Sequence, residues 1–508
     1  MSLVQPIARQ IIHTTWMHAL SLVARFLLIW CLGKTFLPDE YGAYAIIGTV
    51  LSIGIYLFGL NLYVYMTRQA PGRTVTEGMS ILKTLLAFEM TLGLAAVMIV
   101  IGSGLDRIIL RQFQLASFVT EFRLAALLLL LDLIKMEILR YHNAVKRIEV
   151  ANVMQFLAWS LWVLPVVGLW ALGWPLKLSG VLLAWILGTV AGIAYGLGRL
   201  EIRTLLLVPF DRRLLRPALA FSLPTLLVSI GHSIIFLSDR WLLAFFAGVD
   251  VVGRYAYAFS LMNIFYLLAS AVMVNVLLPY AVEAENRGER QRRNELLTAM
   301  LKYGVLGLGI GVAVLIIHDH EIVTLMTRLE YEGAAELLPW LAPVPFLLAV
   351  MSAPYNLLYL NNQTLRLSCF YGIGMVANVT LNFLLIPSFG GIGAAMGTVL
   401  ALAVITGLLY RATWSEAAID WRSSKISEMM LAVCVVLAVG WGLKGWVLPQ
   451  AGLAWLGSMA AMVILYVILN VAFGVLGRRE WQLLVASSVV PLEERSRTKV
   501  TPSGVGSV

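Results

Sequence analysis

The stretch LPDEYGAYA at residues 37–45 has a second, altered copy, VDVVGRYAYA, at residues 249–258. The copies match when the chain is shifted by 211 positions, and the matched pairs are Asp39 with Asp250, Gly42 with Gly253, Tyr44 with Tyr255 and Ala45 with Ala256. A repeat over this distance predicts that the chain contains two related halves, whose other features should also repeat.

The composition places the protein in a membrane. Its 508 residues are 60% hydrophobic and only 13% charged, and the mean hydropathy is +0.86. Soluble domains carry about twice this share of charged residues. The three cysteines, Cys31, Cys369 and Cys434, all lie in apolar runs, so the sequence indicates neither a disulfide framework nor a thiolate metal cluster.

Apolar segments long enough to cross the hydrocarbon are about 20 residues long, and the chain has fourteen of them. They lie near 12–35, 41–66, 79–102, 117–139, 150–172, 178–199, 217–247, 252–282, 296–317, 335–360, 366–387, 391–411, 427–448 and 452–476. We therefore predict an all-α, polytopic membrane protein with about fourteen transmembrane helices.

The repeat groups these helices into domains. We predict an N-terminal six-helix lobe at 1–200, a basic cytoplasmic linker at 201–216, a C-terminal six-helix lobe at 217–411, an extra helix pair at 427–476 and a disordered cytoplasmic tail at 488–508. Six helices separate the copies, so both lobes have the same topology. The repeat axis then runs along the membrane normal, and a substrate site is expected between the lobes, an architecture suited to alternating access.

Basic residues predict the orientation. Of the 37 Lys and Arg residues, 24 fall on the side of the N-terminus, eight on the opposite side and five within helices. Because short basic loops stay in the cytoplasm, both termini should be cytoplasmic. The net charge of +9 is explained by this bias and by attraction to anionic lipid, so no nucleic-acid partner is predicted.

The 211-residue offset also aligns a polar stripe of the first predicted helix with one of the seventh. The aligned pairs are Thr14 with Thr225, His18 with Ser229, Ser21 with His232 and Arg25 with Phe236. Spacings of four and three put each stripe on one helical face, which must contact protein or water. For a single Ser or Thr, packing between helices is the simpler explanation.

Arg25 is the strongest candidate for a ligand contact, because a mid-helix Arg costs roughly 2.5–3.5 kcal/mol to insert and needs a compensating group. Asp239 continues the stripe of the seventh helix, and the adjacent Arg240 is explained by an interfacial position or a salt bridge. The predicted cavity residues are Arg25, His18, Ser21, Asp239, His232, Ser229, Asn263 and Asp132.

Several further polar groups are expected to have structural roles. Asp132 and Lys135 could neutralise each other, and Lys135, Glu137 and Arg140 approach the cytoplasmic end, where they are expected as interface charges. The sequence HDHE at 318–321 is expected in a solvated loop, so neither a metal site nor a cofactor is predicted. Prolines between 339 and 354 predict a kinked or broken tenth helix that could act as a gate.

Four stretches resemble the polysaccharide-export branch of the multidrug/oligosaccharidyl-lipid/polysaccharide flippase superfamily. They are LPDEYGAYA at 37–45, AGVDVVGRYAYA at 247–258, SLPTLLVSIGHSIIFLSDRWLL at 222–243 and NVTLNFLLIPSFGGIGAAMGTV at 378–399. The resemblance covers about residues 1–476. It implies two six-helix lobes plus a terminal pair, a bacterial inner-membrane location, and transfer of an undecaprenyl-diphosphate-linked oligosaccharide from the cytoplasmic to the periplasmic leaflet. Polysaccharide polymerases and glycosyltransferases are the implied partners.

Three other functions stay open at this stage. The nearest is an ion-coupled multidrug antiporter of the same superfamily, although cationic drugs require a cavity dominated by carboxylates. The second is a membrane polysaccharide polymerase or ligase, and the third is a scaffold that transports nothing. The sequence has no P-loop, so ATP-driven transport by this chain is not expected.

Overall fold

The structure is a computed structural model that describes residues 4–273, 277–416, 419–420, 424–447 and 454–477. The side chains of residues 4–15, 18, 268–269, 271–272, 445–447 and 454 are not described. Within these ranges the chain is helical throughout and contains no strand. The predicted tail at 488–508 lies outside the described residues.

Fourteen long helices occupy the described ranges. They are α1 Val4–Thr35, α2 Pro38–Gly59, α3 Val75–Gly102, α4 Val119–Ala144, α5 Ile148–Ala171, α6 Leu178–Leu197, α7 Leu215–Phe246, α8 Val249–Val272, α9 Arg290–Ile317, α10 Pro343–Leu360, α11 364–389, α12 391–413, α13 Ile426–Val447 and α14 Ala454–Ala472. Helices α11 and α12 are continuous except at Gly390, whose φ of 53° breaks the helical path. Ten spans, with α11 and α12 counted as one, are long and apolar enough to cross a membrane. The predicted multi-pass, all-α class is confirmed.

Short helices fill the connections. They are Leu62–Gln69, Leu105–Gln112, Ile202–Leu207, Leu278–Asn286, Asp319–Met326, Glu332–Ala335 and Leu338–Leu341. Predicted helix two is thus two helices, because Leu60 and Asn61 adopt left-handed φ angles of 45° and 57°. Predicted helix eight likewise ends at Val272, and HDHE begins a helix rather than a loop. Helix ten is interrupted at Ala342, in agreement with the prediction.

The two copies of the repeated stretch pack against each other. A Cβ atom added to Gly42 would lie 2.2 Å from the carbonyl oxygen of Val249, and one added to Gly253 would lie 1.7 Å from that of Pro38. Pro38 and Val249 are themselves partners under the 211-residue shift. The crossing of α2 and α8 is therefore reciprocal, and only glycine permits so close an approach of the two backbones.

Further contacts close this end of the molecule, which is the predicted periplasmic end. The ring centroids of Tyr41 and Tyr331 each lie 5.2 Å from that of Tyr257 and 6.2 Å from each other. The Tyr331 hydroxyl donates to the Leu37 carbonyl at 3.2 Å, and Lys34 Nζ donates to the Thr327 carbonyl at 2.7 Å.

A second contact between the halves lies at the opposite end. Directly after the break between α2 and Leu62–Gln69, the buried Asn61 side chain donates to Ser229 at 2.9 Å and to Thr225 at 3.3 Å on α7. The Arg68 guanidinium lies 4.8 Å from the centroid of the Phe221 ring on the same helix. Helix α7 is thus tied to the first half by polar and cation–π contacts at this end.

Residues 1–420 form one compact unit and residues 421–508 a second. In the second unit, α13 packs on α14, and Lys425 Nζ donates to the carbonyls of Phe473 and Gly474 at 3.0 and 2.8 Å. A cation on the last free carbonyls of a helix is favourable. The division of the first unit into lobes at 1–200 and 217–411, joined by 201–216, stays a prediction, as does the separate pair at 427–476.

Candidate functional site

A cavity of about 520 Å³ lies between α1, α2, α4, α5, α6 and α8. Its polar and aromatic lining comprises Arg25, Tyr41, Tyr44, Ser52, Tyr56, Asp132, Lys135, Arg140, Trp159, Trp162, Trp185, Ser260 and Asn263. A second cavity of about 310 Å³ lies between α2, α7, α8 and α10 and shares Ser52, Tyr56 and Asn263 with the first. The two cavities are therefore neighbours, and α2 and α8 contribute to the lining of both.

Arg25 reaches this region from α1. Its side chain is accessible from the cavity, and among the residues the structure describes it has no carboxylate partner and no hydrogen-bond acceptor. Tyr44 of α2 interacts electrostatically with it. A guanidinium without a counter-charge inside a membrane helix bundle costs free energy unless water or an anion in the cavity compensates its charge.

The nearby Lys135 and Asp132 form a buried ion pair on α4. Lys135 Nζ also lies 5.3 Å from the centroid of the Trp159 ring. The Asp132 carboxylate lines the cavity with its charge already neutralised, as the i,i+3 spacing suggested. Arg25 is consequently a cation of the cavity lining that no carboxylate holds among the described residues.

Three tryptophans contribute to the lining of the first cavity. The rings of Trp162 on α5 and Trp185 on α6 stack at 5.6 Å with an interplanar angle of 9°. Neither indole N–H meets an acceptor in the described structure. Trp159 adds an exposed ring one turn earlier on α5. Flat, rigid rings of this kind offer large contact area to a ligand at low entropic cost.

The predicted site residues do not all meet at the cavity. Arg25, Asp132 and Asn263 line the first cavity, and His232 and Asn263 line the second. Ser21 instead accepts a hydrogen bond from Ser160 at 2.9 Å, and Ser229 accepts one from Asn61. Both serines serve contacts between helices, which is the usual role of small hydroxyl residues in a bundle. The side chain of His18 lies outside the described residues.

Asp239 also lies away from the cavity. It is fully buried and accepts hydrogen bonds from the Tyr255 hydroxyl and from the Arg240 backbone N–H. Phe236 and Phe259 line the second cavity, but Asp239, one helical turn after Phe236 on α7, does not. The polar stripe of α7 therefore continues past the end of the cavity. Arg240 Nη1 donates to the Phe236 carbonyl at 3.1 Å.

A buried polar cluster continues from this point into α11 and α12. Ser238 and Asn382 both donate to Asn378 Oδ1, at 3.3 and 3.2 Å, and Asn378 Nδ2 donates to Thr398 at 3.5 Å. The contacts with Ser238 and Thr398 join α11 to α7 and α12, whereas the bond between Asn382 and Asn378 lies within α11, and together they satisfy the buried side-chain amide of Asn378.

The tryptophans were not predicted from the sequence, and three charges lie elsewhere than expected. Lys135, Glu137 and Arg140 were expected at the membrane interface, but Lys135 and Glu137 are almost completely buried and Arg140 lines the cavity. They are inside because α4 packs against neighbouring helices along its length and supplies each charge with a partner. The i,i+3 spacing of Trp159 and Trp162 was the available signal for the aromatic wall.

Comparisons with known proteins show which sequences and folds this chain resembles. No protein-family model matches the sequence. A curated relative, the probable low-salt glycan biosynthesis flippase Agl15 of Haloferax volcanii, is 25% identical over 257 residues. The match covers 51% of this chain and 54% of that protein, so the chain spans about half the length of the relative it matches.

The fold is similar to two solved structures. The lipid II flippase MurJ, in an inward closed conformation, has a TM-score of 0.71 at 14% identity, with coverage of 91% of this chain and 98% of that one. An inward-facing multidrug resistance MATE transporter of the MOP superfamily has a TM-score of 0.63 at 13% identity, with 78% and 95% covered.

The chain has the fold of the multidrug/oligosaccharidyl-lipid/polysaccharide flippase superfamily. The resemblance predicted from the four stretches is thereby confirmed at the level of the superfamily. Both the flippase and the multidrug structures share this fold, so the choice between their kinds of substrate depends on the chemistry of the cavity.

Proposed function

We propose that this protein is a flippase that moves an undecaprenyl-diphosphate-linked oligosaccharide from the cytoplasmic to the periplasmic leaflet of the bacterial inner membrane, for surface polysaccharide such as O-antigen or exopolysaccharide. The observation that carries the proposal is the pairing of an unpartnered Arg25 with a wall of tryptophans in one cavity. An anionic diphosphate joined to polyhydroxylated sugars is a ligand that needs both.

The proposed division of the cavity follows from the chemistry of each part. Arg25 contacts the diphosphate, because a guanidinium stays charged and forms paired, charge-assisted hydrogen bonds with phosphate oxygens. The rings of Trp159 and Trp162 pack against the apolar faces of the sugars, and Asn263 hydrogen-bonds their hydroxyls. The polyprenyl tail stays in the lipid, so the cavity has to hold only the headgroup.

Alternating access is the mechanism proposed for transfer. The crossing of Gly42 and Gly253 at one end and the contact of Asn61 with Ser229 at the other are both joints between the halves. Breaking one while keeping the other would open the cavity to one side of the membrane at a time. In the proposed orientation both termini lie in the cytoplasm, and polymerases and glycosyltransferases are the functional partners.

A multidrug antiporter is the second candidate, and the MATE-like fold is the observation that favours it. The cavity chemistry supports it less well, because the ion pair with Lys135 occupies the Asp132 carboxylate while Arg25 stays uncompensated. A cationic drug would then meet a net positive wall.

Transport by the purified full chain in proteoliposomes tests the proposal. A polyprenyl-diphosphate-linked oligosaccharide is placed in both leaflets, and a membrane-impermeant glycosidase reports how fast the protected inner pool becomes accessible. We expect wild-type protein to expose that pool, Arg25→Met to lose most of the rate while remaining folded, and Arg25→Lys to retain part of it through its point charge. Rates equal to those of protein-free liposomes, or normal transport by Arg25→Met, would contradict the proposed role of this cavity.

A further inference from the structure

Two glutamates meet inside the helix bundle, outside the cavity just described. Glu89 on α3 is 2% exposed and Glu137 on α4 is 1% exposed. Their carboxyl groups lie in side-chain hydrogen-bonding contact with each other. Two acids in direct contact within membrane-spanning helices are costly, and their presence requires a chemical reason.

A hydrogen bond between two carboxyl groups needs a proton. An ionised carboxylate is acceptor-only, so two ionised groups would repel each other without water to screen them. Glu137 Oε2 is buried and meets no hydrogen-bond donor in the described part of the chain. One proton on the pair supplies the missing donor and removes the repulsion.

The charged groups around the two glutamates determine which net charge of the pair is balanced. Arg140, one turn further along α4, acts electrostatically on Glu137, and its guanidinium lies 4.6 Å from the centroid of the Tyr63 ring. Tyr56 on α2 and Glu137 both act electrostatically on Tyr63, and Asp132 and Lys135, earlier on α4, neutralise each other. The pair with one proton therefore carries one negative charge, which Arg140 balances.

Arg140 also faces the cavity. It lines the same wall as Arg25, and its Nε is buried without an acceptor among the residues described. The guanidinium can consequently turn toward an anion in the cavity, and the carboxyl pair would then lose its counter-charge. A second proton would restore neutrality, because the unpaired buried carboxylate is the less stable form.

We propose that Glu89 and Glu137 form a proton-binding site that holds one proton at rest and takes up a second when Arg140 turns to an anion in the cavity. The bound proton comes from solvent and converts the remaining carboxylate to a carboxylic acid. The coupling rests on the proposed function, because the anion is the diphosphate headgroup. Anion binding and proton uptake then strengthen each other by the same factor.

The site also adjoins the contact between the halves. Glu89 Oε1 lies 3.7 Å from where a Cβ of Gly59 would stand, and Gly59 is the last residue of α2 before the left-handed break. Asn61, two residues later, makes the contact with α7. A change in the charge or size of the pair is thus transmitted over a short distance to the joint at the predicted cytoplasmic end.

Infrared spectroscopy of the purified full chain, grown with ¹³C-labelled glutamate, tests the resting state. We expect a protonated-carboxyl band that shifts with the label at neutral pH and disappears in Glu89→Gln and in Glu137→Gln. Glu332→Gln, at an exposed position, is the matched control and should leave the band unchanged. A wild-type protein without a labelled band, or a band that persists in both variants, would overturn the proposal; the wild-type spectrum decides even if neither variant folds.

Inorganic pyrophosphate tests the coupling. Binding measured in weakly buffered solution should take up about one proton per pyrophosphate and should enlarge the labelled band. Arg140→Gln should show the enlarged band before pyrophosphate is added, whereas Arg25→Met should keep the resting band and lose pyrophosphate affinity.

Pyrophosphate binding without proton uptake would overturn the coupling and with it the proposal. A complete failure to bind pyrophosphate would remove the anion site of the proposed function, while the resting band of the labelled glutamates would still decide whether the pair holds a proton. The two failures are therefore distinguishable.

Discussion

At the scale of single residues, the cavity lining combines charged groups with aromatic rings. Arg25 has no carboxylate partner among the described residues, whereas Lys135 is paired with Asp132. The sequence singled out Arg25 because an arginine within an apolar run must reach water, a carboxylate or an anion to offset its cost of insertion, and in the structure Arg25 lines the first cavity. It did not predict the place of Asp239, since the hydroxyl of Tyr255 that holds this carboxylate comes from another helix.

Replacing Trp159 tests whether the tryptophans of the cavity contribute to binding of the sugar. Trp159 lines the cavity and is 37% exposed, so its loss leaves little unfilled core space. Contacts of this kind contribute about 0.5–1.5 kcal/mol, so Trp159→Leu should raise the KM for the lipid-linked oligosaccharide roughly 2- to 10-fold with little change in kcat.

Trp174→Leu is the matched control, because Trp174 is 65% exposed and contributes to neither cavity. Its KM should equal that of the wild type. Equal KM values for both variants in the proteoliposome assay would show that Trp159 does not contact the sugar.

At the scale of elements, hydropathy predicts where helices lie but not where they break. The long apolar windows gave most of the helical spans, since crossing the hydrocarbon demands a fixed length. The break at Leu60 and Asn61 was missed because an apolar window runs across it; Asn61, of a residue type enriched at left-handed positions, was the available signal, whereas Leu60 gives none. The break places the Asn61 side chain against α7, where it donates a hydrogen bond to Ser229.

The glycine crossing of α2 and α8 predicts how closure at one end can be weakened. In Gly253→Ala the new Cβ would overlap the Pro38 carbonyl, so the helices must move apart at a cost of about 1–3 kcal/mol. We expect the closed arrangement at the predicted periplasmic end to be destabilised and the cavity to become more accessible from outside.

A cysteine introduced at Ser52, which lines both cavities, reports this change through a membrane-impermeant thiol reagent, with the exposed Cys369 and Cys434 changed to serine. Outside labelling should rise at least about 5-fold in Gly253→Ala. Gly307→Ala, where a Cβ meets nothing within 4 Å, should label like the parent. No increase in Gly253→Ala would mean that this crossing does not control access.

At the scale of the whole molecule, the proposed transport direction depends on orientation. The loop containing Arg73 and the connection containing Arg213 should face the cytoplasm, and the segments at Arg107 and Asp319 the periplasm, because basic residues concentrate in the first set of loops. Reporter fusions after these four positions measure the side directly. A periplasmic signal after Arg213 would be incompatible with two lobes of equal topology.

Orientation and cavity charge together predict the driving force. An anionic headgroup leaving a cytoplasm that is negative inside gains roughly 2.3 kcal/mol per charge per 100 mV, provided that protein cations do not move with it. Arg25 belongs to the long helix α1 and is expected to stay in the bundle, so most of this gain should appear in the outward rate. We expect ionophores that collapse the potential to slow export more than ATP depletion that spares it.

In proteoliposomes, an imposed potential that is negative on the side the substrate leaves should speed transfer, whereas the reversed potential should slow it. Equal rates at both polarities, measured at fixed pH on both sides, would exclude the potential as the driving force.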